Sequence, residues 1–181
     1  MKLSDGEKLI IAMLCDIHKA VNAKGMVDPD LVSSAISTGN LKELKWEMQG
    51  VLGDDDDEDK PAAEVDQILD MWSTIERAYK RLTAEEKEQV EAEAGPLGRG
   101  VRFSGFDGDT ESEYREIAHF FIEKAGRFER FQGRNLNAHM PSLNGYRRML
   151  RIFSLMRPSN GDTRLDVRQI IELANAEKYS G

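Results

Sequence analysis

The chain has 181 residues, of which 40% are hydrophobic and 32% are charged. This composition is typical of a soluble globular protein that can bury a real core. Its apolar runs fall short of the roughly 18 residues that a membrane-spanning helix needs, so we expect no membrane partner. The single cysteine, Cys15, excludes a disulfide within the chain and fits a reducing cytoplasm. We expect Cys15 to be a small buried hydrophobic side chain rather than a reactive thiol.

Acidic and basic residues are unevenly distributed along the chain. Residues 1–95 hold 11 lysines and arginines against 22 aspartates and glutamates, a balance of −11. Residues 96–181 hold 14 against 11, a balance of +3, and 12 of those 14 are arginines. The acidic half argues against general attraction to nucleic acid or anionic lipid, whereas arginine favours fixed pairing with carboxylates or phosphates. We expect one integrated domain in which most of these arginines tie the two halves together or face water.

The acidic half shows signals for five helices. Capping boxes at Ser4 and Thr83, and Asp28 before a proline, predict three of the helix starts. A long amphipathic helix is predicted from Pro61 to Leu82, preceded by an acidic, mobile connector at 53–61. The first helix carries an apolar stripe at helical spacing: Leu9, Ile10, Met13, Leu14, Ile17 and Val21.

The arginine-rich half shows the strongest helical periodicity of the chain. A sixth helix, capped by Asp109 or Thr110, is predicted to present one apolar face as far as Phe128. Gly126 lies within this pattern and suggests the close approach of another backbone. A seventh helix is predicted from Pro141 and an eighth after Asp166. Because Val101–Phe103 has no second strand to pair with, we predict an all-α fold of seven to eight helices packed as an irregular bundle, with no significant sheet.

Familiar catalytic signatures are absent from the sequence. It contains neither a glycine-rich phosphate loop nor a nucleophile elbow, and its three histidines have no partner at metal-binding spacing. We therefore predict no cofactor, no metal ligand and no catalytic residue. The sequence leaves open whether the protein is an enzyme, and the absence of these signatures argues against it.

The candidate binding site is the polar loop between the sixth and seventh helices, together with the turn before the sixth. Polar loops on a helical scaffold are a usual place for binding groups. Helix capping and loop-shaping hydrogen bonds explain several of the same residues, among them the alternately spaced Asp107, Asp109 and Glu111. The eight candidate ligand-binding residues are Arg102, Asp107, Glu111, Arg127, Asn137, His139, Tyr146 and Arg148.

An ordered series of short motifs runs through this region. The motifs are Phe103-Ser104-Gly105-Phe106-Asp107, Thr110-Glu111 with Tyr114, Gly126-Arg127-Phe128 with Phe131, Asn137-Ala138 with Pro141, and Tyr146-Arg147-Arg148-Met149-Leu150. In these residues the chain resembles the YfbU family of small, all-helical bacterial proteins of unknown function. Its opening helix, Asp5 to Met13, and its central helix, Glu64 to Leu82, look like those of the same family. The resemblance implies an all-helical fold and a bacterial or phage setting, and it brings no reaction, substrate or catalytic residue.

Three functional hypotheses follow from these patterns. The first is a cytoplasmic interaction or regulatory protein that self-associates through helical faces into a homo-oligomer, with a protein partner as a further option. The second is a small-molecule or anion-binding protein, with an enzyme as one form of it, that uses the eight candidate residues. Nucleic-acid binding through the arginine-rich half is the third and least favoured, because the phenylalanines interleaved with arginine at 127–131 fall on a buried face.

Overall fold

The computed structural model describes residues 3–48, 60–94, 101–156 and 164–178, which leaves the acidic connector outside them as far as residue 59. Over these residues the chain forms eight α-helices and no strand, which confirms the all-α prediction. The helices are α1 (Asp5–Ala20), α2 (Pro29–Thr38), α3 (Leu41–Glu47), α4 (Lys60–Arg81), α5 (Ala84–Glu93), α6 (Ser112–His119), α7 (Leu143–Met156) and α8 (Val167–Lys178). A π-helical turn, Phe120–Lys124, continues α6, and a 3-10 turn, Glu129–Phe131, follows.

Local sequence signals mark four of the eight helix starts in the described ranges. The capping boxes at Ser4 and Thr83 are both formed, and Asp28 and Asp166 accept backbone hydrogen bonds at the starts of α2 and α8. Gly39 ends α2 in the left-handed conformation, with φ of +80°. Each such cap satisfies backbone groups that a helix end would otherwise leave unpaired.

The predicted sixth helix is too long. The α-helix ends at His119, continues for one π-helical turn, and leaves helical geometry at Gly126, where φ is +65°. A Cβ at Gly126 would meet nothing within 4 Å, so this glycine turns the chain and does not admit a neighbouring backbone. Phe128 kept the apolar spacing, but it is half-buried and packs from a non-helical position with φ of +55°.

The centre of the molecule is α4. It packs against α3, α6, α7 and α8, and the residues Val65, Ile68, Leu69 and Met71 are fully buried. Helices α6 and α7 each pack more extensively on α4 than on each other. Burial on two opposite sides explains why α4 has apolar residues around much of its circumference.

Aromatic side chains fill the space between α4 and the segment after residue 100. Trp72 lies with its ring centre 6.1 Å from Phe103 and 5.7 Å from Tyr146, and Phe103 lies 5.3 Å from Phe131. These are the spacings of tilted and edge-to-face aromatic contacts, which stabilise beyond the area that they bury. The cluster fixes the turn at 103–107 against the core.

Arginines of the second half pair with carboxylates of the first. Arg134 binds Glu76 through two nitrogens at 2.7 and 2.8 Å, and Arg147 binds Glu64 at 2.7 and 2.9 Å. Bidentate pairing of this kind has the geometry that only a guanidinium provides. The expected role of arginine in tying the halves together is therefore confirmed for these residues.

The first helix lies at the edge of the bundle, packed mainly against α2. Cys15 is buried, as predicted. The apolar stripe, in contrast, faces outward: its six members, Leu9 to Val21, are 55% to 66% exposed. None of the helices in the described ranges is long and apolar enough to cross a bilayer.

Candidate functional site

The turn before α6 and the loop before α7 are joined by backbone pairing. Phe106 donates its N–H to the carbonyl of Leu136 at 3.0 Å, and Ala138 donates to the carbonyl of Phe106 at 3.0 Å. This isolated parallel bridge holds two segments some thirty residues apart in one plane. The loop between α6 and α7 is thus a fixed structure, built from the residues that sequence analysis singled out.

Gly105 makes this pairing sterically possible. Its φ is +91°, and a Cβ there would overlap the carbonyl group of Leu136. Its own carbonyl accepts hydrogen bonds from the hydroxyls of Tyr146 at 2.9 Å and Ser142 at 3.0 Å. Only glycine permits both the backbone conformation and the close approach.

Glu111 caps a helix other than its own. Its carboxylate accepts hydrogen bonds from the backbone N–H groups of Ser142 and Leu143, at 2.9 and 2.8 Å, where α7 begins. It also accepts from Asp107 N–H at 3.0 Å and from the Ser142 hydroxyl at 2.9 Å. Glu111 therefore caps α7 from a buried position, where a carboxylate meets the positive helix end, and does not cap α6.

Asp107 shapes the turn. Its carboxylate accepts from the Thr110 hydroxyl at 2.6 Å and from the Thr110 N–H at 3.1 Å. The hydrogen bond from the Thr110 side chain is the main reason that the pKa of Asp107 is lowered. The predicted cap at Asp109 or Thr110 is wrong, since α6 begins at Ser112 without a side-chain cap.

Asn137 holds the loop from within. Its Oδ1 accepts from the N–H groups of Gly108 and His139, each at 3.0 Å, and its own N–H donates to Asn135 Oδ1. Two donors on one oxygen fix which end of the amide is which. The Nδ2 group is left facing away from these bonds and has no hydrogen-bond partner within the described ranges.

Tyr146 is fully buried beneath the turn. Burial raises the pKa of its hydroxyl, which stays protonated and donates to the carbonyl of Gly105. Tyr146, Asp107, Glu111 and Asn137 thus come together around the turn and the loop, and each is engaged in intramolecular hydrogen bonds.

The other four candidate residues lie apart from that cluster. Arg127 pairs with Glu47 at 3.1 Å and Asp66 at 2.6 Å, and Arg148 donates to the carbonyls of Ala176 and Glu177 near the end of α8. Arg102 and His139 are exposed. Ligand binding by the eight residues stays a prediction, and their arrangement is one buried cluster with four outlying members.

A cleft of about 550 Å³ opens on the outer side of the loop. Its walls come from the end of α2, from the residue before α3, from α6, and from the loop before α7. The lining residues are Thr38, Asn40, Arg115, Glu116, His119, Arg134, Asn135, Leu136 and Asn137. Of the eight candidates only Asn137 lines it.

Sequence analysis missed Arg115, the most distinctive side chain of this cleft. Five arginines of the described chain are half-buried, and four of them have partners on the protein: Arg127, Arg134, Arg147 and Arg148. Arg115 is the fifth, and it has no side-chain partner among the described residues. The only signal in the sequence was its spacing of four from His119, which a solvated helix face shows equally well.

Potential metal ligands do not cluster in the parts of the chain that the structure describes: no group of three or more histidine, cysteine, aspartate or glutamate side chains converges there. The carboxylates of Asp107, Asp109 and Glu111 do not form such a group. Asp107 and Glu111 accept hydrogen bonds from different backbone N–H groups, those of Thr110 and Leu143.

The chain was compared with models of known protein families. A family model described as the YfbU domain matches residues 1–176 of the 181-residue chain. The match extends across all eight helices except the last two residues of α8, and it includes the turn, the loop and the cleft. The chain therefore belongs to the YfbU family.

Proposed function

We propose that the protein is a cytoplasmic interaction or regulatory protein of bacterial origin that assembles as a homo-oligomer through α1. The observation that carries this proposal is the outward-facing stripe of six large apolar side chains on that helix. Contiguous apolar surface of this kind is rare on monomers and marks interaction sites. Isolated exposed apolar residues elsewhere, such as Leu155, do not form a comparable face.

The occupant that best fits this face is a second copy of α1. Ile10, Leu14, Ile17 and Val21 follow one another at spacings of four, three and four, which is the seam of a coiled coil. Leu9 and Met13 widen the seam on one side. A helix of this kind is self-complementary, so two copies related by a two-fold axis bury the same face on each.

Charge favours an antiparallel pairing of the two helices. The first turn of α1 carries Asp5 and Glu7, while Lys24 follows its last turn; Lys19, within that turn, is partly neutralised by Asp30 at 2.7 Å. In the antiparallel arrangement each acidic end lies beside the basic end of the other copy, and the helix dipoles also oppose. A parallel pair would place like charges together.

A matched pair of substitutions tests this interface. Leu14→Glu places a carboxylate in the seam of both copies, and we expect the dimer dissociation constant to rise at least about 100-fold. Leu155→Glu makes the same change at an exposed leucine on α7, and we expect no change in assembly. Sedimentation velocity over a concentration series measures both, and equal assembly of the two variants would contradict the proposal.

The second candidate function is binding of a small molecule or anion beside the loop between α6 and α7. The observation in its favour is the cleft of about 550 Å³, a volume within the range of small-molecule sites. Its loop wall is held by the bridge from Phe106 and by Asn137, so the cleft needs little ordering on binding.

A further inference from the structure

We propose that the cleft between α2, α6 and the loop before α7 binds a small molecule through a single carboxylate or phosphate group, held by Arg115 and Asn137. The inference rests on the second candidate function and assigns its ligand class and contact residues. Of the two contact residues, Asn137 is one of the eight candidates from the sequence and Arg115 is not. The assembly proposed for α1 does not depend on it.

The geometry at Gly108 brings two hydrogen-bond donors to one place. A Cβ on Gly108 would lie 2.8 Å from Nη1 of Arg115 and 2.8 Å from Nδ2 of Asn137. The two nitrogens therefore lie no further apart than twice that distance. Two oxygens of one carboxylate or phosphate can accept from donors at such a separation.

Both donors are free to bind a ligand. Arg115 has no partner on the described part of the protein, and half-burial makes an uncompensated guanidinium unfavourable there. Asn137 Oδ1 is occupied by two backbone donors, which leaves the Nδ2 hydrogens available. An oxyanion would satisfy both groups at once.

The remaining charges in the cleft limit what binds. Glu76 neutralises Arg134 through its two short hydrogen bonds, so Arg134 offers little attraction to a second anionic group. Glu116 repels a further negative charge, while Thr38 and Asn40 line the wall opposite α6 with neutral hydrogen-bonding groups. A ligand with one oxyanion and a polar, otherwise uncharged body fits these surroundings.

The test is a titration of the full-length, isotopically labelled protein, followed by amide chemical shifts at constant ionic strength. Inorganic phosphate and acetate serve as separate probes. We expect saturable shifts at the Gly108 and Asn137 amides with at least one probe, and the probe that binds tells phosphate from carboxylate. In Arg115→Gln the affinity should fall about tenfold or more, as expected for loss of a charge-assisted hydrogen bond.

Two further variants complete the design. Arg102→Gln removes an exposed arginine outside the cleft, and its affinity should stay within about twofold of the unaltered protein. Gly108→Ala keeps every charge but displaces both donors, so it should weaken binding as Arg115→Gln does; melting curves confirm that each variant is folded.

Two results would overturn the inference. If Arg115→Gln binds as the unaltered protein does while shifts centre on Arg102 or His139, the assignment of the oxyanion to Arg115 and Asn137 is wrong, although anion binding by the protein stands. If neither probe gives saturable shifts in the unaltered protein, the inference and the anion-binding form of that function both fail.

Discussion

At the scale of single residues, we expect the turn and loop to tolerate substitution least at Gly105. We expect Gly105→Ala to lower the free energy of unfolding by about 3 kcal/mol or more, because the new Cβ overlaps the Leu136 carbonyl group and φ is +91°. Gly133→Ala is the control, since φ is +69° there but a Cβ meets nothing within 4 Å. It should cost about 1 kcal/mol through backbone strain alone. Urea unfolding measures both, and equal losses would show that the contact with Leu136 is unimportant.

Glu111 illustrates what local sequence cannot reveal about a residue. Its position next to the start of α6 indicated a capping role there, yet its carboxylate caps α7, 31 residues further along the chain. Arg115 is a similar case, because its lack of a partner depends on which carboxylates the fold places nearby. The capping boxes at Ser4 and Thr83, in contrast, involve residues three apart and were readable directly.

At the scale of helices, Glu64 links three of them. From α4 it accepts hydrogen bonds from Arg147 on α7 and from the Tyr114 hydroxyl on α6 at 2.8 Å. The hydrogen bond from Arg147 is the main cause that lowers the pKa of Glu64, while burial raises the pKa of Tyr114 to about 12. Tyr114 therefore stays protonated and donates at neutral pH.

Because of this network, the free energy of unfolding depends on pH in the acid range. Because the folded-state pKa of Glu64 lies below its ordinary value of 4.5, its contribution is complete above that pH and is lost as the pH falls through the folded-state pKa. We expect Glu64→Gln to cost about 1 kcal/mol at neutral pH, after allowance for solvent screening, and progressively less below about pH 4.5. The pKa of Asp66 shifts in the opposite direction. Burial raises this pKa by more than the nearby Arg127 lowers it.

Urea unfolding at a series of pH values measures this effect, with Glu88→Gln on the exposed side of α5 as control. The difference between the Glu64 variant and the unaltered protein should shrink as the pH falls, whereas the control should differ little at any pH. A difference for Glu64→Gln that is constant from neutral to acid pH would refute the role of its ionised form.

Helix positions were largely predictable, and helix packing was not. Capping signals and apolar spacing together located the eight described helices, but the spacing extended α6 to Phe128 because that side chain keeps the periodicity after the helix has ended. The same spacing found the stripe on α1 without indicating that it faces outward. Periodicity shows which side of a helix is apolar, whereas the neighbouring elements decide whether that side is covered.

At the scale of the whole molecule, we propose that the acidic and arginine-rich halves fold as one domain. One hydrophobic cluster contains buried residues from both, and the pairs of Arg134 with Glu76 and Arg147 with Glu64 join them. We expect thermal unfolding followed by tryptophan fluorescence to coincide with unfolding followed by circular dichroism, because both tryptophans lie in the first half while helices lie in both. Two separate transitions would show that the halves unfold independently.

The exposed face of α1 is the feature on which the proposed function depends. The most direct test is the molar mass of the unaltered protein by light scattering, at concentrations from about 10 to 200 µM, which spans the range in which weak dimers form. We expect a mass of twice the 20.4 kDa chain, or a rise toward it with concentration. A constant mass of one chain throughout that range would contradict assembly through α1.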